Sequence, residues 1–107
     1  MFARIVEFTC YTGQTKELCR AIDQKVLPVL KKQQGFCDAI TFVSNNDPQR
    51  VLGISFWNNR EDAERYHRQE YGILLEMLRS FSRPDPKVET FEVESSTSHH
   101  ISMGQAA

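Results

Sequence analysis

Apolar and polar positions along the chain divide it into six structured segments. Phe2 to Thr9 is short, β-branched and aromatic with mixed alternation, the composition of a strand. The turn-forming YTGQT follows, and Thr15 is placed to cap a helix. Its apolar residues Leu18, Ile22, Val26, Val29 and Leu30 recur at helical spacing. Pro28 lies inside that pattern and lacks the N–H that would bond back to Gln24, which predicts a kink or an early end. Gly35 is placed to stop the helix. Phe36 to Val43 and Val51 to Trp57 are strand-like runs on either side of SNNDPQ, a strong turn signal, and predict an antiparallel hairpin. Asn58 or Asn59 then caps a second helical region, with Glu61 and Asp62 in its first turn, where the helix dipole favours them. The stripe of that region is Ala63, Tyr66, Leu74, Met77, Leu78 and Phe81, with Gly72 as a point of interruption. SRPDP ends it, and Lys87 to Glu94 reads as the last strand.

The order β-α-β-β-α-β predicts an α+β, ferredoxin-like domain with a four-stranded antiparallel sheet over residues 1–94, followed by a polar tail, 95–107. Parity divides the hairpin into two faces. One carries Phe36, Ile40, Phe42, Leu52, Ile54 and Phe56; the other carries Cys37, Ala39, Thr41, Val43, Val51, Gly53, Ser55 and Trp57. Neither alternates with charge as a solvated face does. Right-handed crossovers put both helices on one side, so the other face needs a cover. A homodimer packed sheet to sheet, closing a dimeric α/β barrel, is the expected solution. The small residues of the second face either let helices pack closely or leave a ligand pocket walled by Trp57.

Composition narrows the function classes. At 107 residues with formal net charge −1, the chain has no basic field for nucleic acid or anionic membrane. No apolar run approaches the roughly 20 residues that span a bilayer. The beginning MFARIVEFTC lacks a charged-then-apolar leader, and Cys10, Cys19 and Cys37 lack C-x-x-C spacing, so a reduced, cytoplasmic protein is expected. His99 and His100 are paired without an evident third ligand, and no metal site is assigned to them.

Three stretches resemble the antibiotic biosynthesis monooxygenase (ABM) family of the dimeric α/β-barrel superfamily: VLPVLKKQQGF (Val26 to Phe36), ISFWNNREDAERY (Ile54 to Tyr66) and VETFEV (Val88 to Val93). The resemblance spans roughly residues 2–94. It implies an oxidoreductase, a cofactor-free monooxygenase that oxidises a phenolic or quinol-like aromatic small molecule, as the quinone-forming members do. Trp57 matches their strand-end Trp. Gly53 stands where they carry a pocket Asn, Ala63 where they carry a Tyr, and Met77 near their helix Arg, with Arg79 close by. The haem-degrading branch matches less well: Glu76 replaces its ligating His, Tyr66 its helix Trp, and Val6 its first-strand Asn.

The residues themselves offer a candidate site. His67 and Glu70 share a helix face if the helix is unbroken, and a buried His–carboxylate pair is a general base for a phenol or quinol. Deprotonation matters because an electron-rich phenolate reacts with dioxygen without flavin or metal. Tyr66 and Tyr71 carry hydroxyls that orient a substrate oxygen, and Trp57, Ser55, Gly53 and Cys37 are the expected binding residues. No cofactor is implied. The competing reading is a non-catalytic small-molecule-binding or interaction domain of the same superfamily, which Gly53 and Ala63 at the matched polar positions favour.

Overall fold

The computed structural model describes residues 1–97, and the paired histidines of the tail lie outside them. Four strands, β1 (Phe2–Thr9), β2 (Phe36–Val43), β3 (Arg50–Trp57) and β4 (Lys87–Glu92), form one antiparallel sheet in the order β2-β3-β1-β4. Helix α1 spans 15–31 and helix α2 spans 60–78. The architecture is the expected ferredoxin-like one. The β2–β3 turn closes on its own side chains: Ser44 Oγ accepts from the amides of Asn46 and Asp47, and Asp47 Oδ1 from that of Gln49.

Both helices differ from expectation in the same way. Each contains a π-helical turn, Ile22–Val26 in α1 and His67–Tyr71 in α2. In α1 the π turn comes immediately before the segment that holds Pro28, so the helix continues to Lys31 instead of ending at the proline. In α2 the backbone passes through Gly72 in right-handed helical conformation, without interruption. A π turn absorbs one extra residue. Counted that way, Leu74 and Leu78 lie roughly seven and eleven α-helical steps from Tyr66, on the same face. Both are buried, whereas Met77, expected in the stripe, is 43% exposed.

Capping was legible at only one of the two helix starts. Asn59 Oδ1 accepts from the Asp62 amide and starts α2. Thr15 is the first residue of α1, not its cap; its hydroxyl donates to the Pro48 carbonyl, tying α1 to the β2–β3 loop. Gly35 follows α1 with φ +81, and a Cβ there would collide with the buried Asp62 carboxylate.

The core lies between sheet and helices in two clusters. One gathers Val6, Phe8, Cys10, Leu18, Ile22, Val51 and Leu78; the other gathers Phe2, Leu30, Trp57, Ala63, Tyr66 and Leu74. The small-residue face of the hairpin therefore looks at the helices. One assignment changes. A β-bulge between Phe36 and Asp38 shifts the register, so Phe36 pairs with Trp57 and turns toward the helices rather than joining Ile40 and Phe42. Its ring meets Trp57 edge-on at 5.6 Å. The opposite face is bare: Ile40, Phe42 and Phe91 are exposed there beside the half-buried Leu52, Ile54 and Phe56.

Candidate functional site

Strand β1 reads F-A-R-I-V-E-F, and the residues facing the helices are Phe2, Arg4, Val6 and Phe8. Arg4 is thus a charged residue in phase with the apolar ones. It pairs across the sheet with Ser55 on one side and Thr90 on the other. It is 4% exposed and forms no ion pair among the described residues. Its guanidinium lies 4.3 Å from the Tyr71 ring centroid and 5.3 Å from that of Tyr66, and donates to His67 Nδ1 at 2.8 Å. Burial lowers its pKa, while the two tyrosines oppose the shift. A guanidinium nevertheless stays charged in a protein.

The π turn of α2 assembles this group. On an α-helix Tyr66 and Tyr71 would point about 140° apart. With i→i+5 bonding they lie nearly one above the other, and both rings reach Arg4. His67 stacks on Tyr71 with centroids 4.9 Å apart.

The electrostatics set the protonation states. Burial raises the Tyr66 pKa to about 12, with Arg4 pulling the other way. Tyr71 is also raised by burial against the pull of Arg4; its hydroxyl is buried near the guanidinium without the alignment of a hydrogen bond. Both phenols are proton donors at neutral pH. His67 is lowered, first by burial and then by Arg4, so it is neutral near pH 7. The Arg4 bond also fixes its tautomer: Nδ1 accepts, so Nε2 carries the hydrogen.

Two spaces meet at Arg4. An apolar cavity of about 60 Å³ lies between sheet and helices, lined by Val6, Ile22, Leu27, Gly53, Ser55 and Leu74 together with Arg4, Tyr66 and Tyr71. On the other side of Arg4, an open groove of about 350 Å³ runs between α2 and β4, lined by Phe2, Ala63, Glu64, His67, Arg68, Val88 and Thr90. A site that holds benzene measures about 150 Å³, so the inner cavity accepts small molecules the size of water or dioxygen, and only the groove accepts an aromatic ring.

The expected site residues separate accordingly. Tyr66, Tyr71, Gly53 and Ser55 line the cavity, whereas His67 is exposed on the groove side and bonded to Arg4 instead of Glu70, so the buried His–carboxylate pair expected from the helix spacing does not form. Trp57 is 0% exposed and lines neither space; its indole N–H donates to Ser55 Oγ at 2.9 Å, and its ring packs against Phe36 and Tyr66. Cys37, at the bulge, is directed away, its thiol donating to Asn58 Oδ1 at 3.2 Å. The remaining positions matched to quinone-forming enzymes carry no polar group into the cavity: Ala63 lies on the buried face of α2 in the core cluster of Phe2 and Trp57, and Met77 and the Arg79–Glu76 pair face outward. Arg4 was not anticipated, although its in-phase position in β1 was the available signal. Among the described residues there is no cluster of three metal-ligating side chains, and no helix long and apolar enough to cross a membrane.

Comparison with known proteins agrees with this architecture. SnoaB, a cofactor-independent oxygenase from Streptomyces nogalater, superposes with TM-score 0.75 at 15% identity, covering 90% of this chain and 95% of its own. A protein from Nitrosomonas europaea assigned as an antibiotic biosynthesis monooxygenase gives TM-score 0.73 at 17% identity, over 89% and 100% of the two chains. One from Bordetella bronchiseptica with the same assignment gives 0.77 at 15%, over 86% and 95%. No curated protein matches in sequence. The model of the antibiotic biosynthesis monooxygenase family matches residues 1–71, and the chain belongs to that family.

Proposed function

We propose that the protein is a cofactor-independent monooxygenase acting on a phenolic or quinol-like aromatic small molecule. The observation that carries this reading is the convergence of Arg4, Tyr66, Tyr71 and His67 where an apolar cavity meets an open groove. For a phenol the balance is simple: phenol and O₂ give a quinone and water, the four electrons coming from the substrate. One oxygen atom forms the new carbonyl, and the other leaves as water. The protein has to ionise the phenol and hold the resulting anion in a preorganised site. His67, exposed on the groove side and held neutral by partial desolvation and the neighbouring Arg4, is the proton acceptor once a substrate oxygen draws Arg4 away from Nδ1. Tyr66 and Tyr71 remain protonated and line the inner cavity behind Arg4, where their hydroxyls can donate to the reacting oxygen rather than to the ring in the groove. The inner cavity, walled by Gly53 and Ser55 with Trp57 behind them, is of a size to hold dioxygen. Cys37 is too far round the bulge to contribute.

The protein acts as a homodimer in this reading, with the bare face of Ile40, Phe42 and Phe91 covered by a second copy. Its three free cysteines suit a reducing cytoplasm. Oxygen uptake by metal-stripped protein with a panel of hydroquinones and polyketide-like phenols tests the activity. His67→Ala is expected to lower turnover by about 100- to 10,000-fold with the dimer intact, and Tyr66→Phe by less. An unchanged rate in His67→Ala removes the base assignment. If no substrate consumes oxygen, the binding-domain reading replaces the enzyme; Gly53 and Ala63, which place no polar group in the cavity, are the specific observation in its favour.

A further inference from the structure

A buried arginine ordinarily faces a carboxylate, because transferring its charge out of water is costly unless it is paired. Arg4 faces two aromatic rings and one imidazole nitrogen instead. Of the five N–H donors of a guanidinium, one has a well-aligned acceptor among the described residues. The groove beside it is ligand-sized, with an apolar floor of Phe2, Ala63 and Val88. Its charged lining is Arg4, Arg68 and Glu64, one positive charge in excess, with the neutral His67 and the Thr90 hydroxyl alongside. Arg68 also makes no ion pair among the described residues.

We infer that Arg4 is the anion anchor of a binding site in the groove between α2 and β4, which takes a planar aromatic ligand carrying an ionised oxygen. The ring lies on Phe2 and Val88, and the oxyanion, a carboxylate or a phenolate, is held by the guanidinium donors. This deepens the proposed function by placing the substrate in the groove and giving it an anionic group, and it rests on that reading only for the chemistry that follows binding. None of the polar positions matched to the quinone-forming relatives supplies this charge; it comes from the first strand.

The test measures binding by calorimetry under nitrogen, so it needs no turnover. The probes are 2-naphthoate, its neutral methyl ester, and 2-naphthol titrated below and above its ionisation. The wild-type protein should bind 2-naphthoate at least tenfold more tightly than the ester. Arg4→Met should remove that preference while leaving ester binding unchanged, and its melting temperature should be unchanged or higher, because an apolar residue of similar volume often replaces a buried charge without loss. Arg4→Lys should retain part of the preference. Thr90→Glu lies directly opposite Arg4 on an exposed strand and leaves the core untouched. It supplies an internal carboxylate and should also lose the anion preference by about tenfold, which keeps the test open if Arg4→Met fails to fold. Naphthol that binds more tightly once ionised identifies a phenolate site; naphthoate alone identifies a carboxylate site. Equal binding of acid and ester, equal losses for both in the variants, or no saturation by any probe up to millimolar concentration overturns the inference. Protein that binds the anion through Arg4 but consumes no oxygen leaves the anchor standing and removes only the oxygenase reading.

Discussion

The two faces of the sheet solve opposite problems with similar composition. The helix-covered face places its bulk at the ends, Trp57 and Phe36 at one and Phe8 and Val51 at the other, and keeps Ala39, Gly53 and Ser55 between them. The bare face is bulky in the middle, with Ile40, Phe42, Leu52, Ile54 and Phe56 grouped together and Asp38, Glu7, Lys87 and Glu89 around them. Small residues at the centre of one face leave space for chemistry beneath the helices. Large residues at the centre of the other leave none, and an apolar centre within a charged rim is the anatomy of a protein interface. Phe42, 48% exposed, and Trp57, fully buried, belong to the same hairpin; what separates their fates is strand parity and the side of the sheet on which the crossovers fall.

A charge placed on the bare face should have the largest effect. A symmetric interface contains each substitution twice, so Phe42→Asp buries two unpaired carboxylates per dimer. In the proposed dimer it should leave a folded monomer at micromolar concentration, raising the dissociation constant by about a thousandfold, or about 4 kcal/mol, as read by light scattering. A wild-type protein that is already monomeric at that concentration would remove the interface altogether. On the covered face the effect should fall on folding instead. Trp57→Ala leaves a cavity among Phe2, Phe36 and Tyr66 and should cost about 3–5 kcal/mol in chemical denaturation, whereas Trp57→Phe should cost less and leave Ser55 Oγ without its donor. The smallest effect is on pH. The folded-state pKa of His67 lies below its unfolded value, so the unfolded chain takes up the proton first as pH falls. Its contribution to stability is present above about pH 6.5 and declines as pH falls through the lowered folded value. Melting temperatures from pH 8 to pH 5 should show this decline, and Arg4→Met should reduce it by removing the cation that disfavours the imidazolium.

Much of this was legible in the residue pattern. The element order, the β2–β3 turn, an asparagine cap at 58 or 59 and the family were visible because each rests on local chemistry or short-range periodicity. The site was only partly legible. Tyr66, His67 and Tyr71 were identifiable as polar groups beside a stripe, but their true partner, Arg4, is 63 residues from His67 in the chain. The bulge that turns Phe36 inward and Cys37 away depends on register, which no strand shows alone. Trp57 was expected to wall a pocket; the hydrogen bond from its indole to Ser55 instead satisfies it inside the core.

The π turns carry a further consequence. Ile22 to Leu30 in α1 and Tyr66 to Leu74 in α2 are both intervals of eight positions, one too many for an α-helix to return to the same face. The surplus residue in each is absorbed by the wider turn, and in α2 it also swings Tyr71 toward Arg4. The aim of that tyrosine is therefore set by a count and not by an identity. A chain with one residue deleted between Tyr66 and Tyr71, Gln69 for instance, would set the two tyrosines four positions apart, and a plain α-helix would then hold both on the face toward Arg4 without the wider turn.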